Sequence, residues 1–132
     1  MLCCAWTIQA QHLSFHNISS NSQLPSGETR KLCQDSDGFL WIPTSNGLAR
    51  YDGYDFLFIK TDKSTRKQVL SGYVNLVSED SSGHLWIGTN NGLFLLDKET
   101  GNINKKLTPV MDNSHIEAVL PAKDGTIWVA TN

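Results

Sequence analysis

Short apolar runs, separated roughly every 8–12 residues by clusters of Asp, Asn, Ser and Gly, set the pattern of this chain. Leu40-Trp41-Ile42 and Leu85-Trp86-Ile87 are apolar at successive positions. In a strand, successive side chains point to opposite faces, so both faces of these strands must be covered. Leu93-Phe94-Leu95-Leu96 reads the same way. The spacing predicts strands over 29–33, 40–44, 48–51 and 55–59, then over 73–77, 85–87, 93–96 and a more polar one over 102–107. No 3.6-residue stripe survives between the breakers, which excludes a helical repeat.

The segments repeat. Asp35-Ser-Asp-Gly38-Phe-Leu-Trp41-Ile-Pro-Thr44-Ser-Asn46-Gly47-Leu48 aligns without a gap on Asp80-Ser-Ser-Gly83-His-Leu-Trp86-Ile-Gly-Thr89-Asn-Asn91-Gly92-Leu93, displaced by 45 positions. A third copy, with Gly125, Trp128 and Thr131, follows 42 positions later. Each element has a physical reading. Asp beside Gly makes a hairpin turn, because Asp bonds its own backbone two residues on and Gly accepts positive φ. Asn-Gly is the strongest two-residue hairpin signal and predicts a primed turn. Four antiparallel strands per period of this length make a propeller blade.

The predicted fold class is therefore all-β, a β-propeller fragment of about two and a half four-stranded blades plus a leading strand. Blade 1 occupies 29–60, a connecting loop 61–72, blade 2 73–108, and the start of blade 3 109–132. Residues 11–28 form a lead-in, in which Phe15-His-Asn-Ile18 is a candidate ring-closing strand. Two departures stand out. Pro43 sits where the second copy has Gly88, removing a backbone donor and marking weak pairing or a strand end. Ala122 stands where Asp35 and Asp80 stand in the other copies.

Composition narrows the functional classes. The 132 residues are 39% hydrophobic and 18% charged, as in a folded globular protein. Eleven basic and thirteen acidic residues give a net charge of −2 without a basic cluster, which argues against nucleic-acid contact by this segment. No apolar run approaches the ~20 residues that span a bilayer. Residues 1–10, apolar and then small and polar, read as the remnant of a signal peptide, with an ordinary frayed terminus as the alternative. On the first reading the mature chain starts near Gln11 and keeps only Cys33 of its three cysteines. Cys33 itself reads as a small buried apolar residue.

The repeated pattern, with Tyr51-Asp-Gly53 after its first copy, resembles the two-component regulator propeller repeat. That resemblance implies the N-terminal part of the periplasmic sensor region of a hybrid two-component histidine kinase/response regulator. It also implies a parent anchored in the inner membrane that responds to glycan oligosaccharides. The partners implied are the remaining blades of the parent chain, an oligosaccharide and a second copy of the full-length sensor. Two and a half blades leave an uncovered apolar face and open strand edges, so the isolated segment is expected to be marginal or to associate.

Candidate chemistry is sparse. Trp41, Trp86 and Trp128 are sugar-stacking platforms or, on the stronger reading, core residues between neighbouring sheets. Asp35, Gly38, Asp80, Gly83 and Gly125, with Thr44, Asn46, Gly47, Thr89, Asn91, Gly92 and Thr131, read as structural repeat positions, turn chemistry above ligand contact. His12, His16, His84 and His115 are scattered. No nucleophile motif, P-loop or metal-ligand spacing is visible. The expectation is a non-catalytic sensing module without metal or cofactor. The alternative is a piece of a propeller enzyme of the streptogramin-lyase type, which needs a catalytic His and a metal. Ligand contacts are expected from loop 60–72 and from the Thr-x-Asn-Gly turns.

Overall fold

A computed structural model describes residues 14, 24, 28–59, 70, 73–104, 111 and 113–132. The signal-peptide remnant, the strand expected around Phe15, most of the loop 60–72, and His12 and His16 lie outside the described residues. Among the described residues ten strands are present: β1 (Cys33–Gln34), β2 (Leu40–Thr44), β3 (Gly47–Tyr51), β4 (Phe56–Ile59), β5 (Val74–Glu79), β6 (Leu85–Thr89), β7 (Gly92–Leu96), β8 (Ile103–Asn104), β9 (Ile116–Pro121) and β10 (Ile127–Thr131). They form sheets in the order β1-β2-β3-β4 and β5-β6-β7-β8, plus a β9–β10 hairpin. Every neighbouring pair is antiparallel. The two sheets and the hairpin are successive propeller blades.

The cross-strand register explains why both faces of each sheet are apolar. Trp41 pairs with Arg50, Arg50 with Leu57, Pro43 with Leu48, and Leu48 with Ile59. Side chains opposite one another share a face, so Trp41, Pro43, Leu48, Arg50, Leu57 and Ile59 lie on one side of the first sheet. That side meets Val77, Leu85, Ile87, Phe94 and Leu96 of the second, and Trp41, Leu48 and Leu70 are buried there in one cluster with them. Each fully buried leucine contributes about 2 kcal/mol by leaving water. The second sheet repeats the arrangement one blade later. Its opposite face carries Leu76, Trp86 and Leu93, which pack on Ile116, Val119 and Val129 of the hairpin.

The series ends in exposure. Trp41 is 2% exposed and Trp86 half-buried, whereas Trp128 is 65% exposed. Leu120, which pairs with Trp128, is as open. The three tryptophans thus hold equivalent slots, and the degree of burial follows whether a further sheet stands against the Trp face.

Pro43 lies inside β2 and does not end it. Its carbonyl accepts a hydrogen bond from the Arg30 N–H at 3.0 Å, so the nitrogen of the same residue also faces the entry strand and not β3. The β2–β3 ladder is accordingly unbroken, while pairing on the other side reduces to Cys33–Gln34 and an isolated bridge between Thr29 and Thr44. The expected 29–33 strand is cut short for that reason. Its counterpart β5, opposite Gly88, runs for six residues. Gly88 has its own constraint: an added Cβ would stand 2.8 Å from Ile116 Cγ2 and 3.0 Å from Leu76 Cγ.

Candidate ligand-binding cleft between successive blades

The Asp turns carry more than turn chemistry. Asp35 Oδ1 accepts the N–H groups of Asp37 and Phe39, and Oδ2 accepts the Trp41 indole N–H at 2.8 Å. Asp80 does the same for Ser82, His84 and Trp86, again with 2.8 Å to the indole. One carboxylate therefore closes its own turn and satisfies the polar atom of the tryptophan six residues on. In the third copy Ala122 occupies that place, yet the turn persists: Ala122 N–H donates to Thr126 O and Gly125 N–H to Ala122 O. Backbone bonds and a positive-φ glycine (Gly38, Gly83, Gly125) recur in all three turns, and in the third Asp124 Oδ1 accepts the Thr126 N–H, the counterpart of the Phe39 and His84 N–H groups. The aspartate is needed for the buried indole. Burial alone would raise the Asp80 carboxyl, but the Trp86 indole and the His84 and Ser82 backbone N–H groups outweigh it and hold the acid below its usual range.

The Thr-x-Asn-Gly turns sit at the opposite end of each sheet. Thr44 Oγ1 donates to Gly47 O and accepts from Asn46 N–H, and Thr89 repeats both bonds with Gly92 and Asn91. This corrects the primed turn expected from Asn-Gly. The central residues are Ser45–Asn46 and Asn90–Asn91, none with positive φ, and glycine occupies the fourth position at φ 119° in both. A buried threonine bracing a turn that ends in glycine matches a type I preference.

At the Asp-turn end the first two blades are tied together by Lys98, from the turn after β7. Its ammonium donates to Asp37 Oδ2 and Glu79 Oε1, 2.6 Å each, and lies 3.7 Å from Asp35 Oδ2. Glu79 also accepts from Ser36 N–H at 2.6 Å and Ser36 Oγ at 2.8 Å. Burial would lower the Lys98 pKa, but the surrounding carboxylates raise it above the usual lysine range. Burial likewise opposes ionisation of Glu79, yet Lys98 and Ser36 keep its carboxyl below the usual range.

Beside this clasp a cleft of about 510 Å3 opens between the blades. The first blade supplies Ser36, Asp37, Phe39 and Arg50; the second supplies Ser82, Gly83, His84, Asp97, Lys98 and Glu99. The Arg50 guanidinium lies over the Phe39 ring, 4.4 Å from its centroid, and 6.0 Å from that of Trp41. His84 Nδ1 is 3.6 Å from Asp80 Oδ1. Asp97 Oδ1 accepts from Glu99 and Thr100 N–H groups, and these bonds hold its acid below the usual range.

Of the repeat residues singled out from sequence, Asp35, Gly38, Trp41, Asp80, Gly83 and Trp86 frame the Asp-turn end beside the cleft, Thr44, Asn46, Gly47, Thr89, Asn91 and Gly92 brace the opposite end, and Gly125, Trp128 and Thr131 belong to the third blade. Phe39, Arg50, Glu79 and Lys98 were missed, although a signal existed. Shifted by 45 positions they fall on His84, Leu95, Gln34 and Gly53. These four break the period, whereas Gly83 and Asp97, which also line the cleft, keep it. His115 lies elsewhere, its Nε2 3.2 Å from Asn75 Nδ2 and 3.4 Å from Glu117 Oε1. Cys33 is half-buried against the core, and burial raises its thiol pKa. Among the described residues no three His, Cys, Asp or Glu are grouped to hold a metal.

Two segments, residues 23–46 and 68–91, match the two-component regulator propeller repeat, themselves 45 positions apart. The chain carries two-component regulator propeller repeats. The repeat's aspartate, tryptophan and threonine are those whose bonds are described above, so its pattern records an inter-blade packing unit. Among solved structures, the extracellular domain of a putative hybrid two-component system from B. thetaiotaomicron is similar, at 24% identity and a TM-score of 0.74. The match covers 86% of this chain and 17% of that one, and the likeness is one of β-propeller fold. A search among curated proteins finds no match.

Proposed function

We propose that these blades belong to the extracytoplasmic sensing region of a hybrid two-component signalling protein. In this reading the segment binds and transmits, and does not catalyse. The parent is held in the inner membrane, acts as a dimer and responds to oligosaccharides. The observation that carries the reading is the pair of two-component regulator propeller repeats, folded as adjacent four-stranded blades. The fold it shares with an extracellular hybrid two-component domain supports the location. The polar cleft, with an aromatic ring, donors and acceptors on two blades, supports a hydroxyl-rich ligand. No comparison favours the lyase alternative.

Isothermal titration calorimetry of the intact protein against neutral, uronic and sulfated oligosaccharides tests the proposal. Saturable binding by one class, together with ligand-dependent phosphorylation of the parent, is expected. A parent that binds no saccharide, or whose phosphorylation ignores the one it binds, would rule the reading out.

A further inference from the structure

We propose that the inter-blade cleft takes a saccharide by a single carboxylate, held by Arg50, so that the ligand is an oligosaccharide bearing uronic acid. The saccharide class rests on the sensing function proposed above. The carboxylate rests on the cleft alone.

Arg50 is the penultimate residue of β3, on the Trp-bearing face that meets the second blade. Its guanidinium plane is occupied by the Phe39 ring, which fixes its position and leaves the edge N–H groups for another partner. Among the described residues those groups donate no hydrogen bond. The neighbouring cation differs in this respect: Lys98 is consumed by Asp37 and Glu79. Arg50, whose charge also acts on the exposed Asp52 carboxyl, is therefore the cation of the cleft whose donor edge is open among the described residues, and a planar carboxylate fits its donor fork in a bidentate pair.

The surrounding charge sets an upper limit on the ligand. Asp37, Asp97 and Glu99 line the cleft against Arg50 and Lys98, with Asp35 and Glu79 just behind. The summed field is negative, so a second anionic group on the ligand is repelled while one carboxylate seated on Arg50 is tolerated. Saccharides with two or more anionic groups, and phosphate monoesters, which carry up to about two charges, are disfavoured on this ground. Ser82, His84 and Glu99 on the facing wall offer a donor and acceptors for sugar hydroxyls. A volume of about 510 Å3 admits a disaccharide.

The test is calorimetry on the intact protein with an aldobiouronate, a disaccharide bearing one uronic acid, its methyl ester and a disulfated disaccharide. The aldobiouronate is expected to bind at least tenfold more tightly than either of the others. Arg50→Gln is expected to weaken it tenfold or more, and Arg50→Lys to recover only part of the loss. Circular dichroism and thermal melting check that the variants are folded, and the ester comparison on the unaltered protein decides alone if they are not. Binding of saccharides with less than twofold sensitivity to esterification overturns the carboxylate site and leaves the sensing function standing. Tighter binding of the disulfated sugar also overturns it. No binding by any saccharide overturns both.

Discussion

Deleting the carboxylate of Asp35 tests whether these aspartates serve the tryptophans more than the turns. Asp35→Ala leaves the Trp41 indole N–H, on a residue 2% exposed, with no acceptor where water does not reach. A bond to a charged acceptor contributes about 1.5–3 kcal/mol, and an orphaned buried donor costs about 1–3 kcal/mol. The Asp37 and Phe39 N–H groups lose the same carboxylate but are part-buried, so solvent takes over much of their share. A total of about 2–4 kcal/mol is expected. Asp80→Ala should cost less, about 1–2 kcal/mol, because Trp86 is only half-buried and water can replace the acceptor. The assay is urea unfolding of the intact protein in a cycle of Asp35→Ala, Trp41→Phe and the double variant. Phenylalanine removes the donor, so the aspartate should matter less in its presence, by a coupling of about 1–2 kcal/mol. A coupling indistinguishable from zero, or an Asp35→Ala cost no larger than that of Asp80→Ala, would refute the reasoning. The turn itself should survive, as it does around Ala122.

Three further outcomes are expected. Gly88→Ala should destabilise by about 1–3 kcal/mol in thermal melts, since the new methyl meets Ile116 and Leu76 at the interface with the third blade; an unchanged Tm would show that the interface gives way freely. Lys98→Met should cost about 2 kcal/mol in urea unfolding, less than a fully buried pair because the side chain is 15% exposed, and Glu79→Gln in the same background should recover part of it by relieving carboxylate repulsion; a neutral Lys98→Met would remove the clasp from the energetics. Asp80 and Glu79 have lowered folded-state pKa values, so the unfolded chain binds more protons on acidification. The stability they give is complete above their ordinary values of 3.8 and 4.5 and is lost as pH falls through the lower folded values. Asp80→Asn should therefore flatten the loss of stability with acid below about pH 4, and an unaltered acid profile would contradict the assigned bonds.

The sequence by itself determined the blades. Strand positions followed from local alternation and turn residues, both of which act within a few positions, and the 45-residue displacement put Trp41 and Trp86 in equivalent slots before any contact was known. It also marked Pro43 and Ala122 as departures. Only the tertiary structure decided what those departures do, because the direction of the Pro43 nitrogen and the acceptor of each indole depend on which strand or turn lies alongside. The conformation of the Thr-x-Asn-Gly turn was likewise out of reach of a dipeptide rule: the threonine hydroxyl, not the Asn-Gly pair, sets it. The cleft was the least legible feature. Arg50 and Phe39 come from one blade, Lys98 and Glu79 from the next, and charges this far apart in the chain become neighbours only when one sheet packs on another.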